Sequence, residues 1–169
     1  RCYMDLPEAL LPYLRRSQGE SRDLLGRVAS ELATSAMADE MLILAADRQP
    51  EVRASAARAL SVAPLTLAIP ALSNLARDEV WFVRLRAAAA LNEIPHPRVI
   101  PILLEAVRDS NRLVRMRAAS ALAKFQQDTL EILQSVVDSR DRYALHAMIS
   151  ALELGGGFEK VMAELSDPL

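Results

Sequence analysis

Between residues 83 and 94 the apolar side chains Val83, Ala87, Ala90, Leu91 and Ile94 fall at steps of four, three, one and three. Those steps put them on one stripe of a helix with about 3.6 residues per turn. Asp78 and Glu79 stand ahead of the stripe, where a carboxylate complements the positive end of a helix. Pro95 marks its end, because a residue before proline is pushed out of the α region. Another apolar segment, residues 99–109, follows at once and carries Pro101 in its first turn, where no amide bond is lost. The same alternation of short helices runs along the whole chain. First (A) helices are predicted near 7–16, 37–47, 66–77, 97–108, 128–137 and 158–166. Second (B) helices are predicted near 21–34, 50–62, 80–93, 111–125 and 141–154.

The helix pair is a repeat. EVRASAARAL (51–60), FVRLRAAAAL (82–91) and LVRMRAASAL (113–122) align without gaps at intervals of 31 residues. YALHAMISAL (143–152) follows after 30 and keeps the closing Ala-Leu. Asp47, Asp78 and Asp109 recur in that register, as do Arg53, Arg84 and Arg115, Pro64 and Pro95, and the pairs Ile69-Pro70 and Ile100-Pro101. Apolar positions also spill around the B helix to Ala54, Leu85 and Met116, which a lone hairpin would expose and a stack would bury. The expectation is an all-α fold, an α-α superhelix in which about five antiparallel helix pairs form a right-handed solenoid. Residues 1–169 read as one solenoid domain, strict over 37–126 and degenerate over 1–36 and 127–169.

The pattern Ile-Pro-x-Leu on helix A, Asp in the turn, Val-Arg opening helix B and Ala-Leu closing it resembles HEAT repeats. It is most similar to their short variety, of about 31 residues, seen in phycobilisome-type bilin lyases. The resemblance is clear over 37–126 and weaker on either side. It implies a fold and a mode of use, a scaffold and protein-binding surface, and it implies no activity.

Composition fits this picture. Hydrophobic residues make up 51% and aromatics 4%, so the core is built from Ala, Leu, Val, Ile and Met. A net charge of −2 argues against a generic binder of nucleic acid or anionic membrane. No run approaches the 18 apolar residues of a membrane span. Cys2, the single cysteine, has no internal disulfide partner, and a reducing compartment is the expectation; a bacterial, cytoplasmic protein is what the resemblance implies. Charge is uneven: −2 over 1–48, +5 over 49–126 and −5 over 127–169. An acidic partner peptide docking centrally would meet Arg58, Arg86, Arg112 and Arg117.

Candidate chemistry is sparse. The series Asp47/Arg53, Asp78/Arg84 and Asp109/Arg115 is read as a structural ladder, each arginine reaching turn carboxylates in its own and the adjacent repeat. A row of acid–base or anion-binding groups is the functional alternative. His96 and His146 have no Cys or second His at ligand spacing, so neither a metal site nor a nucleophile–base pair is expected. No Gly-rich phosphate loop is present, and Gly155–Gly157 read as the stop of the preceding helix. The expected catalytic, cofactor and metal assignments are therefore none. Trp81 and Phe82 are the local candidates for recognition, with Trp81 as an exposed anchor and Phe82 packed between repeats.

The chain opens on Arg1, and its final residues, 166–169, resemble a turn before another B helix. The expectation is a part of a longer protein, compatible with the soluble part of a membrane-anchored one. Phe158, Val161, Met162 and Leu165 form a stripe on the last predicted helix through which a homodimer would form. Three function classes follow. The first is a non-enzymatic interaction module that holds another protein or other domains of its parent chain. The second is a subunit of a bilin-lyase-type enzyme, and the third a HEAT-like nucleic-acid-binding protein.

Overall fold

The computed structural model describes residues 6–125 and 129–155, together with residues 157, 159 and 163. Among them the chain is all-α. Ten α-helices follow one another: α1 (Leu6–Arg16), α2 (Gly19–Glu31), α3 (Ala38–Ala45), α4 (Pro50–Ala59), α5 (Leu65–Leu75), α6 (Trp81–Leu91), α7 (Ile100–Ala106), α8 (Arg112–Leu122), α9 (Thr129–Asp138) and α10 (Arg142–Leu154). Single 3-10 turns lead into α3 and α7 and close α4. The odd-numbered helices are the A helices and the even-numbered ones the B helices, and the turns between them are short enough to set each pair antiparallel.

Local chemistry fixes the helix ends. Asn111 caps α8 by accepting from the amide of Leu113, and Asp141 caps α10 by accepting from the amides of Tyr143 and Ala144. Pro50 opens α4, where its missing N–H costs nothing. Gly155 closes α10 at φ −88°, a conformation open to any residue, so the freedom of glycine is not what stops this helix. The helix expected over 158–166, with its apolar stripe, lies largely outside the described residues, as does Cys2.

The chain falls into two compact units, Arg1–Ala90 and Leu91–Leu169. In the first, α1 pairs with α2 and α3 with α4, while α2 lies on α4 and α3 on α5. B helices thus stack on B helices and A helices on A helices. Met41, Leu44, Val52, Leu60 and Leu72 are buried in this unit, each contributing about 2 kcal/mol through removal from water. Ala54 is buried as a stack requires. Gly26, on the α2 face that meets α4, holds the repeat position of Ala57, and a Cβ there would stand 3.8 Å from Ser55 and 3.9 Å from Val52. The second unit repeats the arrangement, with α7 on α8, α9 on α10, α8 on α10 and α7 on α9. Leu103, Val114, Leu122, Ile132 and Met148 are buried there. Ala144, Met148 and Leu152 occupy the buried positions held 30 residues earlier by Val114, Ala118 and Leu122. Leu85 and Met116 are half-buried.

Candidate functional site

One arginine near the start of each of α4, α6 and α8 grips the backbone of the turn before it. Nη1 of Arg53 donates to the carbonyls of Asp47 and Arg48 at 2.9 and 3.1 Å. Nη1 of Arg84 donates to those of Asp78 and Glu79 at 2.8 and 3.1 Å, and Nη1 of Arg115 to those of Asp109 and Ser110 at 2.8 and 3.0 Å. These carbonyls lie just past the A-helix ends, where a cation complements the helix dipole. The rest of the fork reaches forward. Nε and Nη2 of Arg53 donate to the two oxygens of Asp78, 25 residues on, at 2.7 and 2.8 Å. The turn of the arginine's own repeat therefore supplies carbonyls, and the carboxylate comes from the next repeat.

Two members of this series escaped the expected set. Arg22 stands 31 residues before Arg53; its Nε donates to Asp47 at 2.6 Å and its Nη1 to the Leu14 carbonyl at 2.7 Å. The spacing alone could have found it. Asp141 accepts from Nε of Arg115, 26 residues earlier, and lies outside the register of Asp47, Asp78 and Asp109. Each periodic aspartate has a further task, because its Oδ1 accepts from the amide two residues on: Asp47 from that of Gln49, Asp78 from that of Val80 and Asp109 from that of Asn111. Burial raises the Asp78 carboxyl. The Arg53 hydrogen bond, the Val80 amide and the charges of Arg53 and Arg84 outweigh it and hold the group below its ordinary value. At Asp141 burial is likewise outweighed, by the Arg115 hydrogen bond, the Tyr143 amide, the Arg115 charge and the Ala144 amide. The Asp78 hydrogen bond raises the Arg53 guanidinium above its ordinary value despite burial. No buried side-chain nitrogen or oxygen among the described residues lacks a hydrogen bond.

The cationic side chains expected to meet a partner are placed differently from one another. Arg58 is paired with Glu31 at 2.7 Å on the exposed surface. Arg86 and Arg117, at the same repeat position of their own B helices, are exposed. Arg112 lies over the ring of Tyr143, 4.8 Å from its centroid, and Arg142 lies over the same ring at 4.9 Å. Trp81 is 42% exposed and meets Phe82 edge to face, with ring centroids 6.0 Å apart; Phe82 is half-buried. His96 accepts from the amide of Arg98 in its turn, and His146 lies beside Ser150. Among the described residues no group of three or more His, Cys, Asp or Glu could hold a metal ion.

The stacked arginines belong to a cleft of about 620 Å³ in the second unit, between the turns before α8 and α10. Arg108, Arg112, Arg115, Arg140, Arg142 and Tyr143 line it. Arg140 has φ 53°, the one positive φ at a non-glycine residue among those described. For a side chain with a Cβ that conformation costs about 1 kcal/mol.

The family model for HEAT repeats matches residues 38–123 and 69–153. Among solved structures, the chain is similar to Escherichia coli YibA, with 19% identity, 90% of this chain and 69% of that chain covered, and a TM-score of 0.57. At that identity the likeness is one of fold. No curated protein matches the sequence significantly.

Proposed function

The chain belongs to the HEAT repeat family, and we propose that it is a non-enzymatic scaffold that holds an acidic segment of another protein, or of its own parent chain, through exposed arginines of its B helices. Repeats of this family form helical scaffolds for protein interactions and are generally non-enzymatic. The division of labour among the arginines carries the reading. Arg22, Arg53 and Arg115 are consumed by turn carbonyls and carboxylates, whereas Arg86 and Arg117 stay exposed with no hydrogen bond or ion pair among the described residues. Exposed Trp81 supports an aromatic contact of the kind enriched at interfaces. The 31-residue period supports placing these repeats with the short variety of the phycobilisome-lyase type. A bacterial cytoplasm is the setting this reading assigns. No helix among the described residues is long and apolar enough to cross a membrane.

Fluorescence anisotropy with a labelled poly-glutamate peptide tests the proposal. Binding at low salt is expected, weakened about tenfold by the double change Arg86→Glu and Arg117→Glu and unaffected by Arg58→Ala. Equal retention of a DNA oligonucleotide at physiological salt would count against a protein partner.

A further inference from the structure

The cleft of the second unit carries more positive charge than its own wall neutralises. Five arginines face three aspartates, Asp109, Asp138 and Asp141, an excess of two positive charges. Arg115 is taken up by Asp141 and by two carbonyls. The other four have no carboxylate partner among the described residues. Among the described residues Arg108 reaches only the Ser135 hydroxyl, at 3.4 Å, and Asp138 accepts from Gln134. Arg112 and Arg142 are held against the Tyr143 ring, and Arg142 also donates to its hydroxyl at 3.1 Å. Stacking of this kind fixes planar cations before a ligand arrives and lowers the ordering needed on binding.

Arg140 adds an independent observation. Its left-handed backbone ends α9: the Ser139 amide donates to the Ser135 carbonyl and the Arg140 amide to that of Val137. Glycine or asparagine is the usual residue at such a helix end. The turn accounts for the conformation and leaves the arginine unexplained. Its side chain lines the cleft with no hydrogen bond or ion pair among the described residues.

We propose that this cleft binds a phosphomonoester carried by a protein partner, with Arg112, Arg140 and Arg142 as donors and Arg108 at the rim. A phosphomonoester brings about −1.5 to −2 charges and three strong acceptor oxygens at neutral pH, which matches the excess; a carboxylate brings one charge. A nucleic-acid backbone fits less well, because each diester carries a single charge and the whole chain is net negative. The assignment rests on the scaffold reading, which supplies a protein as the bearer of the phosphate.

Amide NMR of the 169-residue chain, titrated separately with phenyl phosphate and with benzoate, reads the cleft directly. Saturable shifts at Arg140, Asp141 and Tyr143 are expected with phenyl phosphate, at about tenfold higher affinity than with benzoate. Arg140→Gly separates binding from folding. Relief of the backbone should raise its thermal midpoint by about 2–4 °C while phenyl phosphate binding weakens about tenfold. Unchanged affinity in that variant, or equal affinity for benzoate, overturns the proposal. A phosphoserine peptide should bind more tightly than its unphosphorylated form, and a DNA oligonucleotide displacing it at equal phosphate concentration overturns the protein assignment. If phenyl phosphate leaves these amides unmoved while poly-glutamate still binds, the phosphate site fails and the scaffold reading survives.

Discussion

In the first unit, the turn before α6 entrusts two tasks to one residue. Asp78 accepts from the amide of Val80 and takes the forked guanidinium of Arg53. In the second unit, the turn before α10 divides them. The Ser139 hydroxyl stands 3.4 Å from the amide of Asp141, while Asp141 receives Arg115 and caps the helix through the amides of Tyr143 and Ala144. The repeat therefore conserves a geometry, a carboxylate within reach of the preceding arginine, and tolerates a change in where that carboxylate sits. Dividing the tasks places Arg140, between the two, in a cleft wall. Regularity serves stacking in one turn; irregularity in the other brings cationic side chains together.

Arg53→Ala removes both arms of the fork and both carbonyl bonds and leaves Asp78 unpaired, with its side chain only 9% exposed. A loss of about 2–3 kcal/mol in urea unfolding is expected. A change below about 0.5 kcal/mol would mean that the ladder does not hold the repeats together. Asp141→Asn keeps an oxygen able to cap α10 but deletes the charge facing Arg115. It should cost about 1–2 kcal/mol, less than Arg53→Ala because the cap survives.

Acid should act on both turns in the same direction. The Asp78 and Asp141 carboxyls titrate lower in the folded chain than in the unfolded one, so the unfolded chain takes up the proton first as pH falls. Their stabilisation is complete above about pH 5 and is lost as the pH drops through 4 toward their folded values. Equilibrium unfolding between pH 3 and about 6 should show a shallower acid dependence in Asp78→Asn and in Asp141→Asn than in the parent. The smallest effect is expected from Ser139→Ala, about 0.5 kcal/mol, because its hydroxyl donates to the Val136 carbonyl at 2.6 Å and only weakly engages Asp141. If it proved as costly as Asp141→Asn, the division of tasks would be wrong.

Most of the helical framework was legible because the signals that encode it are local. Apolar spacing of three and four, prolines at helix starts and the 31-residue period place the helices of residues 6–154 within a few residues of their observed ends. Arg22 was equally available to the period and needed only one more step toward the amino end. Asp141 was not. The register slips to 30 residues there, and what selects the residue is reach from Arg115, a distance in space. The direction of the ladder was hidden for the same reason, since spacing cannot tell whether an arginine meets the carboxylate six residues behind it or the one 25 ahead. The stacking of Arg112 and Arg142 on Tyr143 and the left-handed backbone of Arg140 arise from the meeting of two turns, which no periodicity encodes.

The forward reach of these arginines also governs how such a chain can change in length. In the first unit Arg22 and Arg53 are donors to the junction ahead, Asp47 and Asp78 are the acceptors there, and the link spans 25 residues both times. Excising residues 48–78 would leave Arg22 its acceptor in Asp47 and put Arg84 six residues after Asp47, the spacing it keeps from Asp78 in the intact chain. Duplicating the same stretch would add a donor together with its acceptor. Charge balance is thus settled junction by junction, and recombination in whole repeats can lengthen or shorten the array without stranding a buried ion.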